Sequence, residues 1–98
     1  LNLPLPRGTD WSRYLPALDT ALERIAQQDP GALVVSLGVD TWDGDPISSF
    51  KLQTADYRRM ARRIAALGLP TVIVMEGGYA VESIGDNVAE FLEGFASA

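Results

Sequence analysis

Cysteine and histidine are both missing from the 98 residues. Without cysteine the chain has no disulfide framework, no thiolate nucleophile and no thiolate metal ligand. Without histidine it lacks the commonest general base and the commonest transition-metal ligand, so any metal chemistry done by these residues has to rest on carboxylates. Positive charge is scarce: 8 Lys and Arg stand against 13 Asp and Glu, a net charge of -5. Phosphate binding needs a positive field, so nucleic acid is not an expected partner. No apolar run approaches the length needed to cross a bilayer. The opening "LNLPLPRGTD" has neither the basic start nor the apolar stretch of a signal peptide. These absences lead us to expect a soluble cytoplasmic protein without a membrane partner. An initiating Met is also lacking, and the Pro-rich start leads us to read the chain as a piece of a larger protein.

What is present is the composition of a small globular domain, with 47% apolar residues. Leu15, Leu18, Leu22 and Ile25 recur at three- and four-residue steps, which predicts an amphipathic helix from Trp11 to Gln28. Thr9, Asp10 and Ser12 are its candidate caps, Pro16 should lie near its first turns, and "DPG" at 29–31 should stop it. "ALVVSL" is a short β-branched run that suits a strand covered on both faces, as in a parallel sheet. Thr54 is expected to cap a second helix, with Asp56 in the first turn where the helix dipole favours an anion. Tyr57, Met60, Ile64 and Leu67 form its apolar stripe, and Gly68 and Pro70 should end it. "PTVIVM" reads as a second buried strand. Val81, Ile84, Val88, Leu92 and Phe95 mark a third helix. Strands alternating with helices predict an α/β fold, a parallel sheet flanked by helices. Two strands are few for such a sheet, because their edges and apolar faces need covering.

Ligands of an open α/β sheet bind beyond the carboxyl ends of its strands, where loops converge. Both unusual loops lie there. The first, "SLGVDTWDGDP", crowds Asp40, Asp43 and Asp45 together; the second is "EGGYA". On adjacent strands, Asp40 and Tyr79 would face one crevice. Asp43 and Asp45 read as turn and loop anchors, since Asp favours turns and Asp45 precedes Pro46. The three acids do not fit the spacing of a calcium-binding EF-hand loop, and "GGY" is not a phosphate-binding signature. The arginines of "RRMARR" read as a solvated or subunit-facing helix face. Trp42 is either a packing residue or an aromatic at the rim of a site.

"LVVSLGVDTWDGDPISSFKL", followed after one helix by "LPTVIVMEGGY", resembles the C-terminal part of the zinc-dependent deacetylases, the superfamily of histone deacetylases and acetylpolyamine amidohydrolases. The upstream "NLPLPRGTDWSRYLPALDTAL" is similar to the bacterial acetylpolyamine amidohydrolase branch. The resemblance implies that residues 1–98 are a C-terminal portion of a single deacetylase catalytic domain. It implies that Asp40 is a zinc ligand, that Tyr79 hydrogen-bonds the substrate carbonyl oxygen, and that Gly77, Gly78 and Ile47 line the substrate tunnel. It also implies zinc as cofactor and, as substrate, a small acetylated amine or an acetyl-lysine side chain. The family's other ligands and its catalytic His pair cannot lie in a chain without His, so these residues alone are expected to be inactive. Two competing readings are an anion-binding α/β module built on "EGGYA", and a half-sheet that associates through its strand edges, as in a homo-oligomer.

Overall fold

Asp10 stands in extended conformation just before the first helix, and its carboxylate accepts the backbone N–H of Arg13 at 3.3 Å. A cap of this kind satisfies one of the free amides of a first helical turn, and of the three candidates Asp10 takes the place. The computed structural model describes residues 1–97. In it α1 runs Trp11–Gln28. Pro16 sits within the helix, beyond its first turn, and the helix continues through it. Asp29 ends α1 in the left-handed conformation (φ 49°), which the short polar side chain of Asp tolerates.

Strand β1 (Leu33–Leu37) pairs in parallel with β2 (Thr71–Met75), with Val35 opposite Ile73. Helix α2 (Thr54–Ala65) lies between them in the chain and α3 (Val81–Ala96) follows β2. Parallel neighbours require such a crossover, so the α/β reading holds. The cap of α2 differs from expectation. Thr54 is its first helical residue, Gln53 precedes it as cap, and the buried Asp56 reaches back to accept the N–H of Gln53 at 2.8 Å. Asp56 thus serves the helix start through a hydrogen bond as well as through its charge.

One face of the sheet carries the core. Leu33, Val35, Leu37 and Ile73 join Tyr57, Met60, Ala61 and Ile64 of α2, Phe91 of α3, and Trp11, Tyr14, Leu18 and Leu22 of α1 in a single cluster. Tyr57 and Phe91 are fully buried, each contributing about 1.5–3 kcal/mol of transfer free energy. The opposite face is bare: Val34, Val72 and Val74 are 67%, 60% and 41% exposed. Within the described residues the strands are covered on one face only, and the other is the exposed apolar face expected of two strands standing alone. All three helices feed the same cluster, and the described residues leave nothing for the other side.

The stripe of α3 is also rotated from the expected one. Val81 and Leu92 are exposed, while Phe91, Asn87 and Gly94 are buried, with Ile84, Val88 and Phe95 packed beside them. Gly94 lies in this contact. It lets α3 approach α2 so closely that a Cβ built there would stand 2.5 Å from the carbonyl oxygen of Arg58 and 2.9 Å from its Cα. Backbone atoms cannot rotate away. Gly94→Ala should gain about 1 kcal/mol of helix propensity but lose about 1–3 kcal/mol by forcing the helices apart. The urea midpoint should fall; an unchanged or higher midpoint would show that α3 can move off α2 at no cost.

Three of the four arginines of α2 are engaged within the chain. Arg58 pairs with Glu90 at 2.8 Å and also with Glu93, Arg59 with Asp56 at 2.9 Å, and Arg63 binds Asp19 of α1 through two hydrogen bonds of 2.8 and 2.9 Å. Arg58 ties α2 to α3 and Arg63 ties it to α1, while Arg59 pairs within α2. No helix of the described residues is long and apolar enough to cross a membrane.

Candidate active site

The parallel ladder does not stop where the strands do. Glu76 N–H donates to the carbonyl of Leu37, and Val39 N–H to that of Gly77, both at 2.8 Å. These two bonds hold the loop after β1 against the loop after β2. They place Asp40 beside Gly77, two positions before Tyr79.

The fit is close. A Cβ on Gly77 would lie 2.6 Å from Oδ2 of Asp40, and one on Gly38 2.8 Å from its Oδ1. The carboxylate occupies a cradle that exists only because both positions lack a side chain. It is half-buried and accepts no hydrogen bond from a described residue. A carboxylate with both oxygens free at a strand end is suited to a cation. Zinc takes carboxylate oxygens, but a catalytic site needs about three protein ligands. Among the described residues no group of three His, Cys, Asp or Glu could hold a metal ion. Asp40 fits as one ligand of an incomplete set.

Behind Asp40 stands Tyr57, fully buried on α2. Its hydroxyl lies 2.9 Å from Oγ1 of Thr41 and donates to the carbonyl of Val39 at 3.4 Å. Burial pushes its phenol far above the usual range, outweighing the bond to Thr41, so it stays neutral and holds the Val39 carbonyl on one side of Asp40 and the Thr41 side chain on the other. The helical stripe announced Tyr57 as core. Its polar tip at the site carried no signal in the sequence.

Asp45 has the fullest set of partners in the first loop. Although only 7% exposed, its carboxylate accepts three backbone N–H groups: Ile47 at 2.8 Å and Ser48 at 3.0 Å on Oδ1, and Tyr79 at 2.9 Å on Oδ2. The first two form the local turn expected of an Asp. The third spans 34 residues and binds the two loops together. Burial alone would raise the carboxyl, but the amides of Ser48, Tyr79 and Ile47, with Ala80 adding to them, hold it below the ordinary range. A folded-state pKa lowered in this way gives stability that is present above the unfolded value of about 3.9 and is lost as pH falls through the folded value. The stability gap between the protein and its Asp45→Asn variant should therefore be full near neutrality and close in acid below about pH 4. A gap independent of pH in urea titrations would contradict this.

The remaining residues fall as follows. Tyr79 is half-exposed on the second loop. Gly78 has φ of +154°, and a Cβ there would stand 2.7 Å from the buried Val39 side chain. Ile47 is 73% exposed, held by its backbone to Asp45, with no described residue opposite it. Asp43 is exposed and takes only a long bond, 3.5 Å, from Gln53 Nε2. Trp42 packs on the core cluster with its ring over Gly44, which makes it a packing residue.

Comparison with known proteins places this geometry in context. Residues 1–95 match the family model described as the histone deacetylase domain. The chain is 56% identical over 97 residues to acetylpolyamine amidohydrolase 1 of Pseudomonas aeruginosa, covering 99% of this chain and 28% of that protein. It is 55% identical over 95 residues to acetylpolyamine amidohydrolase of Mycoplana ramosa, covering 97% and 28%. The crystal structure of acetylpolyamine aminohydrolase from Burkholderia pseudomallei superposes with a TM-score of 0.95 at 41% identity, over 99% of this chain and 28% of that one. The chain thus spans little more than a quarter of the length of these relatives.

Proposed function

Since the chain belongs to the histone deacetylase domain family, we propose that it is the C-terminal portion of a catalytic domain that hydrolyses acetylated amines with a zinc ion. Acetylpolyamines are the preferred substrate class in this reading, because the relatives more than half identical to the chain are named acetylpolyamine amidohydrolases. Acetyl-lysine side chains are the neighbouring class. A cytoplasmic setting belongs to the same proposal.

One observation carries it: a carboxylate with free oxygens, Asp40, is cradled against the loop that presents the phenol of Tyr79, at the carboxyl ends of two parallel strands. Asp40 would hold the metal together with ligands supplied outside these residues. A zinc ion bound there would supply polarisation of the acetyl carbonyl and an activated water. Tyr79 then donates its O–H to the carbonyl oxygen as negative charge develops on it. In this reading Gly77 and Gly78 line the channel with backbone alone, since the space of their missing side chains is taken by Asp40 at Gly77 and by Val39 and Ile84 at Gly78, and Ile47 offers apolar surface at its side.

The reading as an anion-binding module loses support from Asp45. Its carboxylate already takes the Tyr79 amide ahead of α3, so the place an external anion would need is filled by an anion of the chain itself. Acetate release from an N-acetylated diamine by the complete gene product is the test. The hydrolase reading expects turnover, and absence of acetate from both the diamine and an acetyl-lysine peptide would end it. The 98 residues alone should bind zinc weakly and turn over nothing, because one carboxylate is too few ligands. Tight zinc binding with acetate release by the isolated chain would contradict the ligand count.

A further inference from the structure

Two consecutive glycines precede Tyr79, and they leave the backbone on that side without side-chain anchors. On its other side α3 begins at once, with Ser83 and Ile84 donating to the carbonyl of Ala80. The Tyr79 ring is half-exposed and its hydroxyl has no hydrogen bond to a described residue. Between the ladder bond at Gly77 and the start of α3, the tyrosine is fixed by its own N–H on Oδ2 of Asp45, while Oδ1 of the same buried carboxylate holds Ile47 and Ser48. We infer that Asp45 is a positioning residue, which sets the Tyr79 phenol and the Ile47 side of the channel in one geometry by bridging the two strand-end loops. The inference rests on the proposed amide hydrolysis and adds a residue to it.

A displacement of about 1 Å in a group that acts in the transition state costs on the order of 100-fold in rate. A loosened Tyr79 should show that loss in turnover rather than in binding. In the complete gene product, Asp45→Asn keeps the size of the side chain and one carbonyl acceptor, but its amide group cannot accept the remaining N–H. Its zinc content should match the wild type, KM should change by less than about threefold, and kcat should fall roughly 10–100-fold. In the Tyr79→Phe background the same change should lower kcat by less than about threefold further, because the phenol it positions is gone and only the Ile47 side remains to be loosened. Losses that multiply in the double variant, or a folded Asp45→Asn enzyme with wild-type kcat, would overturn the assignment. Should Asp45→Asn not fold, hydrogen exchange in the wild type decides: the Tyr79 amide should exchange at least about tenfold slower than an unbonded amide. Exchange at the free rate removes the bond the inference stands on. A wild-type protein that releases no acetate fails the reaction instead, and the exchange measurement still judges the bridge.

Discussion

Asp40→Ala in the complete gene product should leave the purified protein with little zinc and nearly no acetate release. Loss of an outer-shell partner of a metal ligand already costs roughly 10–100-fold in metal affinity or activity, so loss of a ligand itself must cost more. The local fold should survive the change. Asp40 makes no hydrogen bond to the described residues, and the backbone around it is held by the Val39 to Gly77 ladder bond and by Tyr57. Asp43→Ala is the matched control, since that carboxylate is exposed and accepts only a 3.5 Å bond. Metal analysis and acetate release on both variants separate a ligand from a mere loop acid. Full zinc occupancy at wild-type affinity in Asp40→Ala would remove Asp40 from the metal.

Tyr79→Phe should keep zinc and substrate binding and lose on the order of 100-fold or more in kcat, the loss that follows removal of one donor to a developing oxyanion. The backbone bond to Asp45 does not involve the phenol, so the ring should stay where it is. Only the O–H disappears. A kcat within a few-fold of wild type, with zinc and KM unchanged, would exclude the role.

Both expectations rest on features of unequal legibility. The limits of α1 follow from Leu15, Leu18, Leu22 and Ile25 with "DPG" behind them, because apolar spacing and turn chemistry are local properties. The two strands follow from their β-branched runs for the same reason. The rotated stripe of α3 does not. It includes the meeting of Gly94 with the backbone of Arg58, a contact between residues far apart in sequence, and the small residue there hides that the position is buried. The bare sheet face is legible from the strand count, since two strands with apolar runs leave a face uncovered; which residues would cover it is not written in those runs.

At the site, Asp40 and Tyr79 stand out as unusual residues after strands. Their placement on one side of the fold needs only that the strands be neighbours, which they are. Asp45 reads as a turn residue, and half of its role is that. Its other half, the bond to Tyr79, depends on the register that brings Gly77 beside Val39. The polar tip of Tyr57 is likewise invisible to periodicity, since an apolar stripe accepts a tyrosine whether or not its hydroxyl finds partners.

The central claim is that the carboxylate at position 40 and the phenol at position 79 work as parts of a zinc-dependent amide hydrolase. The most direct test strips the complete gene product of metal and follows acetate release from an N-acetylated diamine while zinc is added back. Activity should be absent at the start and rise in proportion to bound zinc, levelling at about one ion per chain as a single catalytic site requires. Acetate release that survives complete removal of metal, or zinc binding that restores none, would contradict the account.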